Sequence, residues 1–97
     1  MGIVSPIGCG EDAFWASLLA GRHAAAPVTG FDTTDLPRSI ACQVRDPIPA
    51  AEGMGRASAL AVEAARSALR SAGLEAGDLR LCHALIVMGT TMGETEF

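Results

Sequence analysis

The sequence predicts an α/β fold in which helices are layered on a sheet that the chain leaves incomplete. Three observations carry this reading. Residues 55–72 hold an alanine-rich helical period, residues 81–88 are apolar at nearly every position, and two short β-prone pieces precede both. A strand that is apolar on both faces belongs in a parallel sheet with helices above and below. Two or three strands cannot flank it on each side, so the domain is expected to be partial or completed by a partner.

Each element follows from its residues. Ile3 and Val4 are β-branched and precede Ser5-Pro6, which predicts a strand ending in a turn. Gly8-Cys9-Gly10 predicts a further turn running into a helix, with Glu11 and Asp12 at the positive end of its macrodipole. Phe14 with Leu18 and Trp15 with Leu19 are i,i+4 pairs that predict one broad apolar face. Gly21 stops this helix, and Arg22 and His23 stand at its negative end.

Between Ala24 and Asp35 the periodicity vanishes. Pro27, Gly30, Asp32, Thr33, Thr34 and Asp35 predict an exposed, turn-rich connection. The run Ser39–Val44 alternates weakly, with Ile40, Cys42 and Val44 on one side, and predicts a short strand ended by Asp46-Pro47 and Pro49.

In the helix over 55–72, Glu63, Arg66, Ser67 and Arg70 form a polar stripe, while Leu60, Ala61, Ala64, Ala65, Ala68, Leu69 and Ala72 occupy the remainder. Alanine favours helix and lets another backbone approach closely, so this helix is expected to pack at short range. Gly73 supplies the stop, with Leu74 as the hydrophobic partner of the cap. Glu75-Ala76-Gly77-Asp78 predicts a turn and Leu81–Met88 the strand covered on both faces. Gly89-Thr90-Thr91-Met92-Gly93 then predicts a strand exit made tight by small residues.

Composition bounds the function. The 97 residues allow one small domain. With 49% hydrophobic and 19% charged residues, the chain is neither disordered nor a polyelectrolyte. A net charge of -4 argues against a general grip on nucleic acid. Cys9, Cys42 and Cys82 cannot all pair and show no CxxC spacing, which fits a reducing, cytoplasmic compartment. No apolar run nears the ~20 residues that span a bilayer, and Met1–Pro6, with no basic region followed by a long apolar stretch, is not expected to be a signal peptide.

The candidate chemistry is sparse. The 89–93 loop follows an apolar run, but a P-loop needs a lysine and the chain has none, and the dinucleotide fingerprint G-x-G-x-x-G is missing. Cys9, Cys42, Cys82, His23 and His83 are the candidate soft metal ligands, yet each is isolated in sequence, which disfavours zinc. Cys42 and Cys82 lie in apolar segments and are expected to be buried, whereas Cys9 between two glycines is expected to be the accessible thiol. His83 reads as structural, and Glu94 and Glu96 as a solvated pair of carboxylates. The expected site is therefore catalytic none, cofactor none, metal none.

Several segments together resemble the N-terminal region of β-ketoacyl-acyl-carrier-protein synthases, condensing enzymes of the thiolase fold. Gly2-Ile3-Val4-Ser5-Pro6-Ile7-Gly8 looks like the family's opening strand and turn. Phe14-Trp15 with Leu18-Leu19-Ala20-Gly21-Arg22 is similar to its first helix and exit. Phe31-Asp32-Thr33, Pro37 and Ile40–Val44 resemble its phenylalanine-aspartate loop and the extended segment after it. Arg56 leading into Ala64–Leu69 and Ala72-Gly73-Leu74 resembles its alanine-rich second helix, and Gly89, Thr90 and Gly93 its small-residue loop. The family often carries an acidic residue immediately before the arginine of that helix, where this chain has Gly55.

The resemblance implies a partial, thiolase-like layered α-β-α fold, with residues 1–97 as the N-terminal part of a synthase domain truncated at both ends. It implies an acyltransferase that extends acyl chains by decarboxylative condensation with malonyl-acyl carrier protein in fatty acid or polyketide biosynthesis. No metal or cofactor is implied. The implied partners are the acyl carrier protein, acyl and malonyl thioesters, and a second synthase-like subunit in a homodimer or heterodimer. The family's nucleophilic cysteine and two histidines lie downstream of the region resembled, so none of Cys9, Cys42, Cys82, His23 or His83 inherits a role, and the isolated chain is expected to be inactive. Two alternatives stand beside this: a noncatalytic subunit of the chain-length-factor kind, and a free-standing interaction module that binds through its alanine-rich helix.

Overall fold

The computed structural model describes residues 1–94, which divide into one unit of residues 3–46 and another of residues 1–2 with 47 onward. In the first, β1 (Val4–Ser5) and β2 (Gly8–Cys9) form a hairpin with Val4 opposite Cys9 and Ser5 opposite Gly8. Pro6 and Ile7 make the turn, which the Ser5 hydroxyl braces by donating to the Gly8 carbonyl at 2.8 Å. Gly8-Cys9 is thus a strand rather than a turn, because the short Pro6-Ile7 reversal returns the chain alongside itself.

Helix α1 (Glu11–Leu19) follows, with Glu11 and Asp12 in its first turn as the sequence predicts. Its apolar face is not covered: Trp15 is 61% and Leu19 72% exposed, and the buried residue is Ser17. Gly8 of the hairpin packs close to the backbone of Ala13 and Phe14. A two-stranded ribbon of four residues is too small to shield the rest of that face.

Strand β3 (Ala25–Pro27) pairs antiparallel with β4 (Ile40–Cys42), in the register Ala25 with Cys42, Ala26 with Ala41 and Pro27 with Ile40. Strand β4 lies where alternation predicts it. Its partner falls inside the stretch read as turns, since two alanines and a proline give no strand period and only the pairing defines them. The Val28 amide extends the ladder to the Ser39 carbonyl at 2.8 Å.

The second unit is organised by α2 (Arg56–Ala72). Its last turn closes as the sequence requires. Gly73 adopts φ 69°, its amide donates to the Arg70 carbonyl at 3.1 Å, and the Leu74 amide reaches the Leu69 carbonyl at 2.9 Å. Left-handed backbone is cheap for glycine, which satisfies carbonyls the helix would otherwise leave open. On the polar stripe, Arg70 Nη2 meets Glu63 Oε1 at 2.9 Å.

The expected close approach to α2 is made by Gly2. A Cβ there would overlap the Ala64 carbonyl oxygen and the Ala68 amide nitrogen, both backbone atoms. Beside it the N-terminal ammonium donates to Ser71 Oγ at 3.3 Å. Ala64 and Ala68, both half-buried, therefore mark the packed side, whereas Ala65, which the sequence placed on the same apolar face, is exposed.

Downstream, two expectations are corrected. The turn at Glu75–Asp78 is the start of α3 (Ala76–Leu81), where Glu75 and Asp78 form a reciprocal capping box and the Glu75 amide donates to Asp78 Oδ2 at 2.7 Å. Leu81–Met88 is not a buried strand: Leu81 closes α3, residues 84–88 pair with nothing in either sheet, and Leu85 is 86% exposed. A strand exists only through a neighbour's amides and carbonyls, and the described residues place none beside it.

Replacing Gly2 by Ala, or Ala68 by Leu, should destabilise the intact protein by about 1–3 kcal/mol through overpacking. Ala65→Leu, on the exposed side, should stay within about 0.5 kcal/mol. Denaturant melts that show Gly2→Ala to be as harmless as Ala65→Leu would refute the contact.

Candidate functional site

The thiols and imidazoles are scattered. Cys9 sits on β2 and is half-buried, whereas Cys42 ends β4 and Cys82 follows α3, both exposed. This reverses the expected order, because segments rich in apolar residues are not covered here. All three are thiols rather than disulfides. Among the described residues no group of three His, Cys, Asp or Glu could hold a metal ion.

His83 lies at a helix exit and not at the start of a strand. It takes φ 49°, and beyond it the Ala84 amide reaches back to the Leu79 carbonyl at 3.4 Å. Histidine is among the few residue types besides glycine that tolerate this conformation. His23 lies past the end of α1, exposed, and is not brought together with any cysteine in a ligand set.

The most developed polar arrangement is at the N-terminus of α2. Glu94 lies 37 residues beyond Ala57 in sequence, yet its carboxylate accepts from the Ala57 amide at 3.3 Å and the Ser58 amide at 3.0 Å. These are amides that the first turn of a helix cannot satisfy itself, and the macrodipole there favours a negative charge. Gly55 makes the arrangement possible, since a Cβ at that position would land on the Glu94 carboxylate. The acidic group absent beside Arg56 is thus supplied from the far end of the 89–93 loop.

The Ser58 amide, foremost, holds the Glu94 carboxyl below its ordinary value of 4.5, with smaller help from the Ser58 hydroxyl and the Ala57 amide against desolvation. Glu94 is exposed, as expected, but its carboxylate is held by helix amides, and Glu96 lies outside the described residues. Only Gly55 hinted at this contact in the sequence, as a gap where a carboxylate was due. The small-residue loop is shaped by its own bond, from the Gly93 amide to Thr90 Oγ1 at 2.8 Å. The arrangement caps a helix and fixes a loop.

Comparison with known proteins agrees along the chain. The family model described as beta-ketoacyl synthase, N-terminal domain, matches residues 1–97. The 3-oxoacyl-[acyl-carrier-protein] synthase 2 of Coxiella burnetii is 32% identical over 96% of this chain and 24% of its own length. The tetracenomycin polyketide synthase ketoacyl synthase alpha subunit of Streptomyces glaucescens is 34% identical over 98% of this chain and 24% of its own. A solved structure, the ishigamide ketosynthase/chain length factor, superposes with a TM-score of 0.69 at 40% identity, covering 79% of this chain and 21% of that one. The chain thus spans about a quarter or less of the length of these relatives.

Glu94→Gln should lower the thermal midpoint of the intact protein near neutral pH. Gly55→Ala should mimic it, because the new methyl displaces the carboxylate. A carboxyl whose folded value is depressed stabilises fully above its unfolded value and loses that contribution as pH falls through the lowered one. The gap between wild type and Glu94→Gln should therefore close on acidification below 4.5. Midpoints measured across pH that never differ, or differ equally in acid, would remove the cap.

Proposed function

The chain belongs to the β-ketoacyl synthase family through that family's N-terminal domain, and from this premise we infer that it works as the N-terminal part of a condensing enzyme. The carrying observation is that the family's N-terminal domain is matched along all 97 residues. In this reading the longer protein takes an acyl group onto a cysteine thiolate. A malonyl thioester then loses carbon dioxide, and the resulting enolate carbon attacks the acyl carbonyl, forming a carbon-carbon bond and releasing the thiolate.

Residues 1–97 act as part of a thiolase-like layered α-β-α domain, and the catalytic cysteine and histidines lie outside them. Their part is architectural. The scarcity of buried residues supports this: among the described residues only Ala59, at 1%, and Ser17, at 3%, are buried. Exposed Trp15, Leu19 and Leu85–Met88 are surfaces for the remainder of the domain to cover.

The acyl carrier protein, acyl and malonyl thioesters, and a second synthase-like subunit are the partners of that longer protein, in the cytoplasm and without cofactor. Support for a carrier-dependent synthase comes from relatives named for 3-oxoacyl-[acyl-carrier-protein] and polyketide synthesis. No helix among the described residues is long and apolar enough to cross a membrane. A second reading, a noncatalytic subunit of the chain-length-factor kind, is favoured by one observation, the likeness to the ishigamide ketosynthase/chain length factor. The free-standing module is disfavoured, because so little of the chain is buried.

Incubated with an acyl-coenzyme A or acyl-carrier thioester, the 97-residue chain should gain no stoichiometric acyl adduct by mass spectrometry. An adduct on Cys9, Cys42 or Cys82 that disappears on substitution by Ala would overturn the assignment. Expressed alone, the chain should bind hydrophobic dye strongly and self-associate, as large exposed apolar surfaces do. A monomer by sedimentation with a sharp two-state melt would instead favour the interaction module.

A further inference from the structure

A hollow of about 420 Å³ lies within residues 3–46, lined in part by Arg22, His23, Gln43 and Arg45. No carboxylate lines it. Its positive character is not inherited from its surroundings, because residues 3–46 contain Glu11, Asp12, Asp32, Asp35 and Asp46 against only Arg22, Arg38 and Arg45. Asp46 lines an adjoining hollow, which shares Arg22.

The basic groups are held by the fold. Arg22 follows the closing turn of α1, where its amide donates to the Ser17 carbonyl at 2.9 Å and the Gly21 amide to the Leu18 carbonyl at 3.1 Å. Arg45 leaves β4 and plants Nη2 on the Pro27 carbonyl of β3 at 2.7 Å. The Gln43 amide is locked between them by exchange with the Thr29 backbone, accepting at 2.9 Å and donating at 3.2 Å. Among the described residues, neither the Arg22 guanidinium nor the His23 ring is engaged in a hydrogen bond or ion pair.

Two guanidiniums and an imidazole around one acid-free hollow suit an anion of more than one charge. Arginine forks match the oxygens of a phosphate in pairs, which a lone ammonium cannot do. The volume falls in the range of small-molecule sites, about 300–1,000 Å³, and exceeds what a bare phosphate fills. We propose that this hollow binds a small phosphate ester, with Arg22 and Arg45 gripping the phosphate and His23 as a third donor. The site is independent of the condensing role inferred for the longer protein.

Calorimetric titration of the intact protein with glycerol phosphate, inorganic phosphate and acetate at matched ionic strength tests this. Saturable binding is expected in the order ester, phosphate, acetate. Arg22→Gln and Arg45→Gln should each weaken ester binding about tenfold or more, as loss of a charge-assisted fork does. Arg38→Gln, an arginine of the same unit outside the hollow, should leave it unchanged. Since Arg45 also braces β3, Arg22→Gln carries the test should Arg45→Gln unfold the hairpin. No saturable binding, acetate as tight as phosphate, or an equal loss in Arg38→Gln would overturn the site. Inorganic phosphate as tight as the ester would overturn the ester assignment.

Discussion

The contact of Gly2 with the backbone of α2 is the constraint on which the unit of residues 1–2 and 47–94 depends. Ala64 and Ala68 leave the helix bare on that side, and Gly2 adds nothing of its own, so the two backbones meet. Close approach maximises dispersion between the chains but tolerates no extra methylene. The same helix is closed at one end by Gly73 and at the other by Glu94, whose carboxylate needs the space Gly55 leaves. A single glycine-sized allowance thus appears on the flank of α2 and again at its start.

Around this frame the hydrophobic surface is far larger than what the chain can cover. Nearly half of the residues are hydrophobic, yet the buried ones among those described are Ala59 and Ser17. Within each unit, the short hairpins and helices among the described residues offer too little area to enclose Trp15, Leu19 or Leu85–Met88. That imbalance agrees with membership in a family whose relatives are about four times longer or more, judged from the 24% and 21% spans. The physics of burial and the family likeness point the same way by separate routes.

The chemistry-bearing residues follow the same division. Cysteines and histidines stand apart on β2, on β4 and after α1 and α3, and His83 lies at a helix exit. What the fold does gather is charge: a carboxylate onto helix amides at α2, and arginines around the hollow between the end of α1 and the β3–β4 hairpin. Both gatherings depend on turns that bring residues far apart in sequence to one place.

Strong local signals were legible in the amino acids themselves. The period of α2 with Gly73 after it and the acidic opening of α1 each rest on interactions within a few residues, so no distant partner is needed to define them; the alternation of β4 marked a segment able to pair, and β3 supplied the partner. The alanine-rich flank of α2 foretold a close backbone neighbour, although not that Gly2 provides it or that Ala65 faces away. Tertiary structure alone decided β3, the cap by Glu94, the basic hollow, and the fate of residues 81–88. A sheet bond belongs to two segments at once, and so does a capping carboxylate 37 residues from the helix it closes. Sequence determines what a segment is able to pair with; the presence of the partner determines whether it pairs, which is why an apolar run fit for a covered strand stands here as exposed chain.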